Sequence, residues 1–254
     1  MRNPKWHRDE IILALDLYFT KGRGSIDDKN PKILELSKIL NALPLFTDRP
    51  DRQKFRNANG VTLKLSNFLA FDPNYSGKGM TSGSKLDKEV FFEFRDQLES
   101  LHSIASQIRM IAGNPNLKEK INEIEDDEQT QKDSVQEGGI LYKLHKVRER
   151  DPKIIKHKKD LVYQLTGKLA CEACILEFEE FYGEIGAGFI ECHHLTPLKT
   201  FKVSSLTTLN DLALVCSNCH RMLHAGIDKI SVADLSDMIK YDRVPKANPN
   251  SKFL

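Results

Sequence analysis

Two Cys-X-X-Cys pairs are the strongest chemical signal in this 254-residue chain, and they flank residues 175–215. A two-residue spacer allows both thiolates of a pair to bind one ion, and two such pairs complete the tetrahedral coordination of zinc. Because four thiolates leave no position for water or substrate, this Zn²⁺ site is predicted to be structural. Cys192, the fifth cysteine, is expected to be a small buried residue on a strand. The predicted zinc ligands are Cys171, Cys174, Cys216 and Cys219.

Four histidines lie around these pairs, in the motifs ECHHLTPL (His193, His194) and LALVCSNCHRMLH (His220, His224). Imidazoles directed at one place suit phosphodiester hydrolysis with a single divalent ion, which neutralises charge on the phosphate and stabilises the leaving oxygen. One neutral imidazole must then be kept off the ion so that it can accept a proton from the attacking water.

The elements around these motifs must bring the histidines together. The apolar run that begins at Phe189 predicts a strand ending at the first histidine pair, and residues 212–215 predict a second strand. Residues 217–225 predict a short helix that stops before Gly226. Histidines four residues apart project from the same face of a helix. The two strands and the helix can therefore point three imidazoles at one place.

These motifs resemble the HNH, or ββα-metal, endonuclease family, particularly its zinc-containing branch of McrA-type restriction enzymes. The resemblance covers roughly residues 140–226 and rests on CEAC, ECHHLTPL and LALVCSNCHRMLH. It implies that His194 is the general base and that His193 and His220 hold the catalytic ion, Mg²⁺ or another divalent cation. His224 would be a third ligand or, as in some members of the family, a phosphate contact.

The sequence departs from the family pattern at one position. The middle residue of the motif is usually Asn, which steadies the base histidine, whereas this chain has Asp211 there, preceded by Asn210. An Asp side chain can also accept a hydrogen bond from the base, so either residue is a candidate for this role. Arg221 on the predicted helix could bind the scissile phosphate or be an ordinary surface cation.

The remainder of the chain predicts helices, so the expected fold is α+β and mostly helical. An N-terminal helical domain is expected over residues 1–112, with amphipathic helices near residues 11–19, 31–43 and 61–69 and one long helix over 86–112. Residues 113–139 are polar and acidic, which favours a solvated linker over an acidic binding surface. Residues 140–254 would form the ββα-metal HNH domain with its four-cysteine zinc site.

A basic segment leads into the first cysteine pair. Residues 140–168 contain nine Lys or Arg against three Asp or Glu, and they predict one or two helices broken near Asp151–Pro152. Clustered cations gain affinity for DNA by releasing its counterions, so we favour phosphate contact over an ordinary solvated helix. The candidate residues are Lys143, Arg148, Arg150, Lys156, Lys158 and Lys159.

The N-terminal region, through Trp6 and residues 14–19 and 55–67, resembles the helical head domain of McrA-like, modification-dependent restriction enzymes. This resemblance implies that the N-terminal domain binds or recognises DNA. Arg, Asn and Lys can reach phosphates and base edges, although a capped and solvated helix start would explain the same residues. The candidates for nucleic-acid contact are Arg56, Asn57, Asn59 and Lys64.

Composition restricts the class of protein further. The formal net charge of +2 indicates no particular partner, and the absence of a long apolar run predicts a cytoplasmic protein that does not enter membranes. The expected function is a metal-dependent DNA endonuclease, in restriction or defence and with a preference for modified DNA. The alternatives are a non-catalytic, zinc-stapled DNA-binding module and a nuclease for RNA or branched substrates. Since one active site per chain cuts one strand, a homodimer is expected.

Overall fold

The computed structural model describes residues 2–77, 79–80, 83–124, 139–140, 143–144, 147, 151–195, 208–225 and 230–239. Among these, the residues up to Val147 form one compact unit and those from Asp151 onward form a second. No helix in the described ranges is both long and apolar enough to cross a membrane.

The N-terminal unit is built from helices, as the sequence predicts. The expected long helix over 86–112 is wrong, because two helices separated by a turn occupy this stretch. Gln97 leaves the helical conformation (φ −131°, ψ 51°), and its N–H donates to the carbonyl of Phe94. The helices of this unit are α1 (Arg8–Phe19), α2 (Pro31–Ala42), α3 (Ala58–Leu69), α4 (Lys85–Phe94), α5 (Leu98–Gly113) and α6 (Pro115–Asn122).

Helix α1 lies at the centre of this unit, and every residue from Arg8 to Tyr18 is buried. Charged groups inside a core must be paired, because an isolated buried charge is costly. Arg8 accordingly binds Glu93 at 2.6 Å, and Asp16 binds Arg109 at 2.6 Å. The helix expected over residues 11–19 is present, but it is buried on all sides and is not the amphipathic helix that the sequence predicts.

The N-terminal unit extends beyond the boundary expected at residue 112. Ile121 on α6 is fully buried and Ile124 nearly so, which places the start of the expected linker in the core. Ile140 and Leu144 are 1% exposed in the same core, and the N–H of Ile140 donates to Asp9 Oδ2 at 2.9 Å. Burial of these apolar side chains therefore moves the end of the unit from 112 to Val147 or later. The other residues of the expected linker, 125–138, lie outside the described ranges.

The second unit contains a two-stranded antiparallel sheet, β1 (Glu191–His194) and β2 (Leu212–Val215). In its register Glu191 faces Val215 and His194 faces Leu212. Both predicted strands and the predicted helix after them are confirmed. The helices are α7 (Pro152–Thr166), α8 (Phe178–Tyr182), α9 (Ser217–Ala225) and α10 (Val232–Met238).

The break predicted near Asp151–Pro152 is the start of α7. Asp151 caps the helix by accepting a hydrogen bond from Lys153 N, and Pro152 takes the first helical position. The helix ends at Gly167, whose φ of 73° is a left-handed conformation that favours glycine. All four residues of β2 are buried, and Ala213, Leu214 and Val215 pack with the cysteines into the second core.

Candidate metal centres

The four predicted zinc ligands converge on one point. The Sγ atoms of Cys171, Cys174, Cys216 and Cys219 lie within 4.8 Å of one another, and all four cysteines are free of disulfides. The sulfurs of Cys174 and Cys216 are 3.7 Å apart. Four convergent thiols at two Cys-X-X-Cys turns are the donor set of a structural zinc site, so these residues fit the ion.

Each cysteine pair forms a tight turn whose backbone faces the sulfur. The N–H of Cys174 donates to Cys171 Sγ at 3.4 Å, and the N–H of Cys219 donates to Cys216 Sγ at the same distance. Ile175, directly after the first turn, adopts a φ of 57°, which is unusual for a β-branched residue. The N–H···S bonds direct backbone dipoles at Cys171 and Cys216, which would stabilise their thiolates when an ion is bound.

Ionisation of the thiols depends on their burial and on the backbone N–H groups and charges around each sulfur. Burial opposes ionisation of Cys171, but backbone N–H groups around its sulfur overcome this and lower its pKa below the usual value. Burial raises the pKa of Cys174 to about 11 and also raises that of Cys219. Because neighbouring thiolates repel one another and burial opposes their charge, a cation held among the sulfurs would favour ionisation of Cys174 and Cys219.

A second cluster consists of imidazoles. Ligand atoms of His193 on β1 and of His220 and His224 on α9 lie within 4.8 Å of one another. The Nε2 atoms of His220 and His224 are 3.0 Å apart, and the ring centre of His193 is 5.2 Å from each of the other two rings. Three converging imidazoles are a donor set that suits a divalent transition metal and leaves coordination positions for oxygen ligands.

Glu191 orients one of these rings. Its Oε2 lies 2.6 Å from His220 Nδ1, and its Oε1 accepts a hydrogen bond from Ser217 Oγ at 2.6 Å. The hydrogen bond with His220 lowers the pKa of Glu191 against the opposing effect of burial. Binding Nδ1 in this way fixes the ring so that Nε2 faces the cluster.

Sequence reasoning missed Glu191 and Ser217, although a signal for the first was present. Alternate residues of a strand share a face, so Glu191 must lie on the same side of β1 as His193. A carboxylate beside a metal-binding imidazole is a common partner for its second nitrogen. Ser217 offered no comparable signal.

His194 is separate from the three-imidazole cluster, although it follows His193 directly. It is the last residue of β1, and it is buried, with 4% of its surface exposed. The chain is fixed here because Leu195 N donates to the carbonyl oxygen of Asp211 at 2.8 Å. One histidine is thus kept out of the ion-binding set, as hydrolysis by a general base requires.

Asp211 lies directly before β2 and interacts electrostatically with His194. Its Oδ2 accepts hydrogen bonds from Thr208 N at 2.8 Å and Thr208 Oγ at 2.7 Å. These bonds, and to a smaller extent His194, lower the pKa of Asp211 and keep its carboxylate ionised. The neighbouring Asn210 is exposed in a short 3₁₀ turn.

The expected phosphate-contact residues occupy several different environments. Lys158 Nζ donates to the carbonyl of Leu209 at 3.2 Å, and Lys159 Nζ donates to that of Gly188 at 2.8 Å, so both contact the backbone around the site. Lys156 is exposed and lies 3.4 Å from Asp160, and Arg221 is exposed on α9. Lys143 is half-buried in the N-terminal unit, and Arg148 and Arg150 lie outside the described residues.

Two of the predicted N-terminal DNA contacts are core residues instead. Arg56 is 4% exposed and binds Glu10 through Nε at 2.6 Å and through Nη2 at 2.7 Å. Lys64 is 7% exposed and binds both oxygens of Asp87, at 2.7 and 2.9 Å. Both cations bind buried carboxylates instead of water, so neither is accessible to nucleic acid.

The remaining two N-terminal candidates lie at the start of α3. Asn57 caps this helix, because its Oδ1 accepts a hydrogen bond from Gly60 N at 2.8 Å. Asn59, in the first turn, is exposed. The helix-start interpretation thus accounts for Asn57 without a ligand.

Comparison with known proteins gives one match. A family model described as HNH endonuclease matches residues 169–226, a range that contains both metal clusters, His194 and Asp211. Neither the curated proteins nor the solved structures that were compared gave a match. Residues 169–226 therefore match the model of an HNH endonuclease domain and include a cysteine cluster that can hold zinc.

Proposed function

We propose that this protein is a metal-dependent endonuclease that hydrolyses phosphodiester bonds of DNA, with His194 as general base. The observation that carries the proposal is the division of four histidines into a three-imidazole cluster and one buried neighbour. The match of residues 169–226 to HNH endonucleases supports the reaction class. A non-catalytic zinc module would not need this division.

His193, His220 and His224 would hold a divalent ion in the reacting centre, either a transition metal, which three imidazoles favour, or Mg²⁺, which the family resemblance also allows. When bound, the ion supplies positive charge that neutralises the phosphate and stabilises the leaving oxygen. Glu191 holds the His220 ring in position through Nδ1. The cysteine cluster would hold Zn²⁺ away from substrate and fasten the start of α9 to the turn at residues 171–174.

In the proposed step, neutral His194 accepts a proton from water. The water oxygen then forms a bond to phosphorus, and the bond from phosphorus to the leaving sugar oxygen breaks. We assign the orientation of His194 to Asp211, because its ionised carboxylate interacts with His194 and favours the protonated imidazole that forms. Asn210 remains the alternative.

DNA would reach this centre along exposed cations of the second unit. We propose phosphate contacts for Arg221 and Lys156, with Lys158 and Lys159 contributing their charge from the backbone around the site. Arg148, Arg150 and Lys143 stay candidates on the basis of their basic segment. Such contacts bind DNA of any sequence, because phosphates carry no sequence information.

We further propose a cytoplasmic role in restriction or defence, with a preference for modified DNA and action as a homodimer. The support for this role is the resemblance of the N-terminal region to the head domain of McrA-like enzymes. The support for a dimer is that two copies of a single-strand cutter are needed to break a duplex.

A supercoiled-plasmid assay tests the proposal. Wild type should nick or linearise plasmid with Mg²⁺ or Mn²⁺, and His194→Ala should lose about 10²–10⁴-fold in rate, as expected for loss of a general base. His157→Ala, at an exposed histidine on α7, is the matched control and should cut like wild type. Equal cleavage by His194→Ala would remove this residue from the base role.

The choice of substrate separates the alternatives. Methylated plasmid, unmethylated plasmid and a structured RNA should be compared under the same ionic conditions. Faster cleavage of methylated plasmid would support a preference for modified DNA, and faster cleavage of RNA would replace the DNA assignment. DNA binding without cleavage of any substrate would support the non-catalytic module.

A further inference from the structure

We propose that a groove in the N-terminal unit binds the phosphodiester backbone of DNA. This inference rests on the proposed function, because it assumes that DNA is the substrate. The groove, here called the Arg2–Arg52 groove, consists of two adjoining cavities of about 300 and 330 Å³. Both cavities are lined by Phe46 and Thr47, so they meet at these residues.

The lining of the groove is basic. Arg49 and Arg52 line one cavity, Arg2 lines the other, and Asp48 is the acidic residue among the lining side chains. Within the described ranges, no carboxylate forms an ion pair with any of the three arginines. Positive charge is therefore available in both cavities, and the side chains of Arg2 and Arg52 are exposed.

Arg49 carries a fixed charge in the cavity that Arg52 also lines. Its guanidinium donates to the carbonyl oxygens of Asn41 at 2.8 Å, Phe46 at 3.2 Å and Leu43 at 3.3 Å, and it lies 4.6 Å from the ring centre of Phe55. An arginine has five N–H donors, so donors remain for a ligand. Because the side chain is already ordered, binding an anion there costs little side-chain entropy.

The chain segments beside the groove are also held in place. Asn3 and Asp51 exchange two hydrogen bonds, from Asn3 Nδ2 to the Asp51 carbonyl at 2.9 Å and from Asp51 N to Asn3 Oδ1 at 3.1 Å. The buried Arg56 donates to the carbonyl of Pro4, a lining residue, at 3.0 Å. Arg56 thus supports the groove from inside rather than contacting a ligand itself.

The shape and charge favour a polyanion over a small anion. A single small anion would be bound by one arginine in one cavity, whereas two adjoining cavities that are each lined by an arginine match a chain of repeated charges. The groove walls include the apolar side chains of Phe46 and Leu45, and a hydroxyl at Thr47. Arginine guanidinium groups and hydroxyls are common partners of phosphate oxygens in protein–DNA complexes.

The test is fluorescence anisotropy of the zinc-loaded protein with two duplexes of unrelated sequence, without added Mg²⁺ or Mn²⁺ so that neither is cut, across a range of salt concentrations. The variant Arg2→Gln/Arg52→Gln keeps the fold, since both side chains are exposed. It should bind both duplexes more weakly by the same factor, and the slope of log K against log salt should become shallower by about 2. Lys88→Gln/Lys120→Gln removes two exposed charges elsewhere in the same unit and should keep the wild-type slope.

Three results would overturn the groove assignment. One is an unchanged salt slope in Arg2→Gln/Arg52→Gln, and another is an equal change in the lysine control. If either occurs while His194→Ala still abolishes plasmid cleavage, the nuclease assignment stands and the groove assignment fails. The third is a wild-type protein that binds neither duplex, which removes the groove and the DNA substrate together.

Discussion

Glu191 Oε2 lies 2.6 Å from Nδ1 of His220, and this contact joins the strand of the ββα unit to its helix. A carboxylate on one nitrogen of an imidazole fixes the ring and makes the other nitrogen a better metal ligand. In this chain the other nitrogen, Nε2, faces His224 Nε2 at 3.0 Å. Glu191 is therefore a positioning residue for the three-imidazole cluster.

Replacing Glu191 should weaken binding of the catalytic ion. We expect Glu191→Gln to reduce the affinity for Mn²⁺ about 10–100-fold, because His220 loses its charged partner. Isothermal titration of the zinc-loaded protein measures this change. Ser217→Ala, which removes the neutral partner of Glu191, should have a smaller effect. Wild-type affinity in Glu191→Gln would show that the contact does not orient His220 for metal binding.

Loss of one zinc thiolate should destabilise the second unit, although the substitution changes none of the histidines of the reacting centre. Cys171→Ser is expected to abolish bound zinc and to lower the thermal midpoint, since structural zinc contributes folding free energy. Elemental analysis and thermal denaturation check both effects. Cys192→Ala is the control, because Cys192 is buried on β1 outside the cluster. Equal zinc content in wild type and Cys171→Ser would contradict the assignment of the four cysteines to zinc.

The buried pair of Arg56 and Glu10 should stabilise the N-terminal unit. Arg56→Met leaves the Glu10 carboxylate buried without its partner, which is expected to cost about 3–5 kcal/mol of unfolding free energy. Urea denaturation of this unit measures the loss. Adding Glu10→Met should cost less than the sum of the single changes, because the two groups interact directly. As a control, Lys85→Met removes an exposed partner of Glu89 and should change stability by less than about 1 kcal/mol.

The charge of Asp211 should set the acid side of the pH–rate profile. The hydrogen bonds from Thr208 keep the pKa of Asp211 below its usual value, so Asp211 stays ionised at pH values where His194 titrates. Its negative charge favours protonated imidazole, which is inactive as a base. Asp211→Asn removes that charge, so the acid limb of plasmid cleavage should move to lower pH. A limb that moves to higher pH would place another group in control of this titration.

Elements and residues fixed by local patterns could be predicted from the sequence. The two Cys-X-X-Cys turns, both strands and helix α9 depend on spacings within a few residues, and the structure contains each of them. The roles of Arg56 and Lys64 depend on distant partners. Glu10 lies 46 residues from Arg56, and Asp87 lies 23 residues from Lys64. The local sequence around a buried cation does not reveal its distant carboxylate partner. Sequence alone therefore predicts Arg56 and Lys64 to be exposed DNA contacts.

Helix α9 begins beside one pair of zinc ligands and carries two histidines of the other cluster. Each residue of an α-helix turns by about 100° and rises 1.5 Å, so Cys219 determines the direction in which His220 points. The zinc site therefore fixes the rotation of α9 about its axis, and with it the directions of the His220 and His224 side chains. Inserting one residue between Cys219 and His220 would preserve every metal-binding side chain and still rotate both imidazoles away from His193.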